Sequence, residues 1–151
     1  MGWTQNGGDN ALAVWLRALA DQTNLYIALA TSATAPTADT DTLGDLTEIP
    51  VGNGYTPAGG FTLTQGVTDF PVVTLDNPND IVGVQLKDIV WTASGGPIPS
   101  TGGARYAIFT GHNATASLRE VYASFDLVSD RTVSDGQTLT LQNIELQLDV
   151  T

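Results

Sequence analysis

The last third of the chain, from Ala104 to Thr151, most constrains what it can fold into. Three runs, ARYAIFTG, REVYASFDLV and SDRTVSDGQTLTLQNIELQLDVT, are rich in β-branched and aromatic residues and are punctuated by Gly, Asn, Ser and Asp. That pattern predicts consecutive antiparallel strands. In the second run Val121, Ala123, Phe125 and Leu127 alternate with Glu120, Tyr122, Ser124 and Asp126, so the first set is expected to face a core and the second to face outward. Leu139 and Leu141 carry the apolar side of the next strand, with Thr138 and Thr140 outward. Past Asn143 the phase shifts to Ile144, Leu146 and Leu148. A one-residue slip would expose all of them, so a bulge or strand break is expected near Gln142 and Asn143.

The preceding sequence extends the same reading. LYIALAT (25–31) predicts a central strand, FPVVTL (70–75) a strand with Pro71 near its start, and KDIVWTA (87–93) a strand with Ile89 and Trp91 on one face. TEIPV reads as a short edge piece, and GNGYTPAGGFTLTQ as a tight reversal around Tyr55 whose glycines permit positive φ. Ser32 to Asp45 reads as a long surface loop and 94–103 as a flexible one. The chain is short enough for one domain. About eight short strands with turn signals between them predict an all-β fold, an antiparallel β-sandwich with a jelly-roll-like arrangement over residues 24–151.

Residues 1–23 are expected to stand apart as an arm and a helix. Met1 to Gly8 is Gly-rich and polar, an arm to be ordered by a partner. Asp9 or Asn10 can cap a helix to about Ala20, whose Leu12, Trp15, Leu16 and Leu19 form one apolar stripe. So short a helix is marginal alone and must dock, either on its own sandwich or against a neighbouring subunit. Trp3, the stripe residues and Tyr55 are therefore the candidate partner-binding residues. The first residues have no basic region or long apolar run, so no secretory leader is expected.

Charge excludes some partners. Sixteen acidic residues against five basic ones give a formal net charge of −11, and the five cations are scattered at 17, 87, 105, 119 and 131. Phosphate neutralisation needs clustered Lys and Arg, so neither nucleic acid nor an anionic membrane is an expected partner. Solubility is the expected consequence, with contact with a basic partner surface or life in high salt as the alternatives.

No set of residues announces catalysis. His112, the one histidine, sits in the turn-rich TGHNAT, which reads as a solvated loop rather than as the base of a Ser-His-Asp arrangement. Carboxylates such as Glu120, Asp126 and Asp130 fall on or beside the outer side of a strand. Asp39, Asp41 and Asp45 invite a calcium reading, but the EF-hand template fails at Leu43 and Pro50. With no cysteine and one histidine, zinc is not expected, and GNG at 52–54 and SGG at 94–96 precede no helix that would make them phosphate cradles. No cofactor and no metal is expected.

Several pieces, in order, resemble small tailed-bacteriophage virion proteins of the head decoration (cement) and tail-fibre type. They are LYIALATSA, GNGYTPAGGF, VWTASGG, ARYAIFTG and RTVSDGQTLTLQNIELQL, spanning about residues 25 to 148. Two departures stand out: Thr56-Pro57 where that group often has Ala-Arg, and Gln137 where it often has Asp. The resemblance implies a non-enzymatic β-sandwich component of the virion. It would bind the major capsid protein on the capsid exterior and stabilise the shell, working as a homo-oligomer, dimer or trimer. The alternative it implies is a tail-associated or host-glycan-binding module, with loops 32–45, 94–103 and 111–118 as the site and Tyr106 or Tyr122 stacking on sugar rings.

Overall fold

The computed structural model describes residues 2–5, 7, 24–57, 60–76 and 81–149. The fold is all-β and antiparallel. In chain order the strands are β1 (Gly2–Trp3), β2 (Asn24–Ala30), β3 (Phe61–Thr64), β4 (Val72–Asp76), β5 (Ile81–Gln85) and β6 (Ile89–Thr92). They continue as β7 (Ala104–Thr110), β8 (Val121–Arg131), β9 (Thr138–Leu141) and β10 (Glu145–Asp149). A five-stranded sheet runs β1-β8-β7-β2-β3, a three-stranded sheet β10-β5-β4, and β6 pairs with β9. The helix expected over 9–20 falls on residues outside those described.

β2 is central because both of its faces are apolar. Leu25, Ile27 and Leu29 point into the main core with Leu63, Leu86, Ile89, Trp91 and Phe109, while Ala28 and Ala30 face the other way onto Ile108 and Val121. The main core therefore lies between the five-stranded sheet and the β5, β6, β9 and β10 strands, giving a sandwich-like layering. Each fully buried Leu or Ile contributes about 1.5–3 kcal/mol by leaving water. Trp91 anchors the centre, edge-on to Phe61 (centroids 5.2 Å apart, interplanar angle 83°) and 6.1 Å from Tyr55.

The second face of the large sheet is covered by the end of the 32–45 segment, which the sequence reads as a surface loop, and by Leu46 just after it. Leu43 and Leu46 are buried against Ala28, Ala30, Ile108 and Val121. The segment is fixed by a capping box on the 3₁₀ turn Leu43–Asp45, in which the Asp45 carboxylate accepts from the Thr42 backbone N–H (2.8 Å) and hydroxyl (3.1 Å). The 94–103 loop is pinned likewise: Ile98 is fully buried and exchanges backbone hydrogen bonds with Val133 (3.0 and 2.9 Å).

The described residues of the N-terminal arm, expected to await a partner, are held by the rest of the fold, Gly2 and Trp3 within the large sheet. Gly2 and Trp3 pair with Ser124 and Ala123 on β8, and the Thr4 N–H donates to the Tyr122 carbonyl (2.9 Å). The Gln5 N–H donates to Ala38 O (3.0 Å), and Gly7 lies so close to Tyr122 that a Cβ would strike its backbone.

Two irregularities reshape β8. Phe109 pairs with Ala123 but Thr110 with Val121, so Tyr122 is an extra residue. The bulge puts Val121 on the second face while Tyr122 and Ala123 both enter the main core. Tyr122, expected outward, is thus buried, and the expected shared face of Val121 and Ala123 is corrected. Further on, Tyr106 pairs with Asp126 and Ala104 with Arg131, so residues 127–130 bow out of the ladder. The break expected near Gln142 and Asn143 is present. β9 ends at Leu141, Asn143 takes a left-handed φ of 55°, and β10 joins a different sheet with Ile144 and Leu146 buried.

Candidate functional site

The sequence-derived partner residues have different fates. Trp3 contributes backbone to β1. Leu12, Trp15, Leu16 and Leu19 lie outside the described residues. Tyr55 is corrected from surface anchor to core pillar. It closes a two-residue hairpin turn, exchanging backbone bonds of 2.9 Å with Gly52 across Asn53 (φ 54°) and Gly54 (φ 98°). The side chain is 1% exposed, and its hydroxyl accepts from the Leu29 N–H (2.9 Å) while donating to Glu48 Oε1 (2.7 Å). β3 pairs with β2 only as far as Ile27, so the hydroxyl satisfies a donor that the ladder leaves open.

The ionisable groups noted in the sequence are engaged in local structure. His112 stacks on Tyr26 (centroids 5.9 Å apart), its Nδ1 3.1 Å from the Tyr26 hydroxyl, and the Arg119 guanidinium carbon sits 3.5 Å from the Tyr26 ring centroid. Asp39 accepts from Gln5 Nε2 (2.9 Å), and Glu120 from the Tyr122 hydroxyl (3.3 Å). Hydrogen bonds from the Thr42 backbone and hydroxyl hold the Asp45 carboxyl below its usual range. Among the described residues no group of three His, Asp or Glu side chains is placed to hold a metal ion.

Three surfaces stand out, and none lies at the loops first considered for glycan. The first is an apolar groove of about 480 Å³. The register sets Val73 beside Val84 and Val84 beside Leu146, so β4, β5 and β10 turn one apolar face toward Leu25, Phe70 and Phe109. Two of its lining residues are largely exposed, Val67 (83%) and Val73 (67%), and Leu75, two residues along β4 from Val73, is 70% exposed. The turn carrying Val67 is braced by Asp69, whose carboxylate meets Lys87 Nζ at 2.5 Å and accepts from the Thr64 N–H at 2.7 Å. The Lys87 hydrogen bond, then that of Thr64, pulls the Asp69 carboxyl below its usual range.

Among the described residues β4 is also the outer, unpaired strand of its sheet, adjoining that groove. Its sequence VVTLD places neither Lys nor Pro along the edge, the common devices against edge pairing.

The third is a polar groove of about 760 Å³ between the end of β8 and the β9–β10 corner. Thr138, Gln142, Asn143 and Gln147 line it with exposed side chains, and half-buried Phe125 adds an apolar patch. On the β8 side Asp126 is gripped by Arg105, Nε to Oδ1 at 2.8 Å and Nη2 to Oδ2 at 3.0 Å. The Arg105 bond is the main reason the Asp126 carboxyl lies below its usual range. Sequence alternation did not reveal this groove, because its lining joins Asp126, Leu127 and Arg131, at the flanks of the β8 irregularity, to the strand break at Asn143.

Comparisons with protein-family models, curated proteins and solved structures found no match.

Proposed function

We propose that this chain is a non-enzymatic structural protein of a bacteriophage virion, a head decoration protein that binds the major capsid protein on the capsid exterior and stabilises the shell. The observation that carries the reading is the exposed apolar side chains of Val67, Val73 and Leu75 beside β4, the outer strand of its sheet among the described residues. Contiguous apolar surface next to unpaired strand backbone is the chemistry of a protein-binding face, with an apolar centre and a polar rim. A net charge of −11 complements a basic partner surface and steers encounter with it. The resemblance over residues 25–148 supplies the virion context. In this reading the chain acts as a homo-oligomer, and Trp3, Leu12, Trp15, Leu16 and Leu19 add a second apolar contact.

Val73→Asp and Leu75→Asp test the reading, because both side chains are largely exposed and their loss should leave the fold intact. Each removes about 1.5–3 kcal/mol of apolar burial at the interface, which weakens particle binding by about tenfold to a hundredfold. Particles decorated to the same level by both variants and by the parent chain would sink this docking face.

A further inference from the structure

The two faces of the three-stranded sheet differ in kind, and β4 ends both of them. Register puts Val73, Val84 and Leu146 in one row and Leu75 beside Val82 in the next, on the face that turns toward the apolar groove. The opposite face carries Val72, Thr74 and Asp76, with Gln85 and Glu145 in the same row as Val72. Across β4, β5 and β10 the sequence places three acidic residues, Asp76, Glu145 and Asp149, and no Lys, Arg or His. Alternate residues of an outer strand direct their N–H and C=O groups away from the sheet, and among the described residues no strand pairs with that side of Val72–Leu75.

A strand laid along β4 continues both faces at once. Its residues in the phase of Val73 and Leu75 extend the apolar face, where those two side chains are still 67% and 70% exposed. Its alternate residues stand beside Val72, Thr74 and Asp76 on the acidic face. Opposite charges on neighbouring strands stabilise a sheet and like charges destabilise it. A second copy's β4 meets the first requirement but not the second, because VVTLD brings another Asp and no cation, from a chain of net charge −11. The occupant that meets both is an extended segment in which apolar residues alternate with Lys or Arg.

We propose that β4, resting on the docking face proposed above, takes such a basic amphipathic strand from its protein partner by β-strand addition. The probe is a synthetic eight-residue peptide of alternating Lys and Val, titrated at low salt into the isotope-labelled full chain. The amides of Val72–Leu75 shift together and gain protection from hydrogen exchange, while those of β6 and β9 do not. Methylating every backbone nitrogen of the peptide removes its ladder donors and weakens binding by about tenfold or more. A block peptide of four Lys and four Val loses the alternation, and an alternating Glu-Val peptide loses the charge match; both bind about tenfold more weakly or not at all. Val73→Lys, at an exposed position, does the same to the parent peptide, with a thermal melt to show that the variant is folded. Silence at β4 overturns the assignment, as does equal binding by the methylated, block or Glu-Val peptide. Shifts at β4 that grow with the concentration of the chain alone would give the edge to a second copy instead. Particle decoration separates the two readings. A chain that coats capsids yet ignores the peptide refutes strand addition alone, and one that takes the peptide yet leaves capsids bare refutes the capsid reading alone.

Discussion

Tyr55→Phe isolates one hydroxyl whose loss can be valued from its surroundings. The ring stays, so Trp91 keeps its neighbour and no cavity opens. The Leu29 N–H, on a residue with no exposure, loses its acceptor at 2.9 Å, and Glu48 loses a donor at 2.7 Å. A buried donor left unsatisfied costs about 1–3 kcal/mol. Glu48 is only half-buried and regains water, so it adds little. The expected destabilisation is therefore about 2 kcal/mol, or a drop in Tm of about 4–8 °C for a domain of this size. Urea unfolding gives the free energy, and hydrogen exchange at the Leu29 amide shows whether its protection falls. A loss below about 0.5 kcal/mol, with Leu29 still protected, would refute the claim that this hydroxyl completes the β2 edge.

Further expectations concern the turns and the acid limb. Gly54→Ala should cost more than Gly136→Ala: both have positive φ, but only at Gly54 would a Cβ drive into the Thr92 carbonyl. The strain alone is worth about 1–2 kcal/mol, so equal losses in denaturant melts would discredit the steric part. Val128→Gly should stabilise the fold by up to about 1 kcal/mol by relieving left-handed strain, and a clear loss of stability would mean that the side chain packs usefully. Asp45, Asp69 and Asp126 have carboxyls held below their usual range, so the stability they contribute is complete above that range and disappears as pH falls through the lowered values. Asp69→Asn should flatten the fall in unfolding free energy below about pH 4; an unchanged slope would show that the Lys87 contact carries no such linkage.

Apolar and β-branched runs made β2, β4 and β6 legible, period-two alternation gave β9 and the break at Asn143, and glycines marked the turn before Tyr55. It failed where one residue changed the phase. The Tyr122 bulge puts two consecutive side chains of β8 into one core, and nothing in YAS distinguishes that from simple alternation. β5 escaped because Gly83 interrupts IVGVQ; a Cβ there would displace the Glu145 side chain, which lies over the glycine. β3 lies in the stretch GNGYTPAGGFTLTQ, whose glycines signalled only a reversal around Tyr55. Loops 32–45 and 94–103 have loop composition, yet Leu43 and Ile98 bury themselves, and those isolated apolar residues were the available signal. The apolar rim and the polar groove depend on register and on bowed backbone, which pairing across strands creates and local sequence does not encode.

Quantitative mass spectrometry of purified virions, scaled to the major capsid protein, tests the proposed role most directly. A copy number of the same order as the capsid subunits is the predicted result. A handful of copies per particle would contradict head decoration and point to the tail, and complete absence from the particle would contradict a virion role altogether.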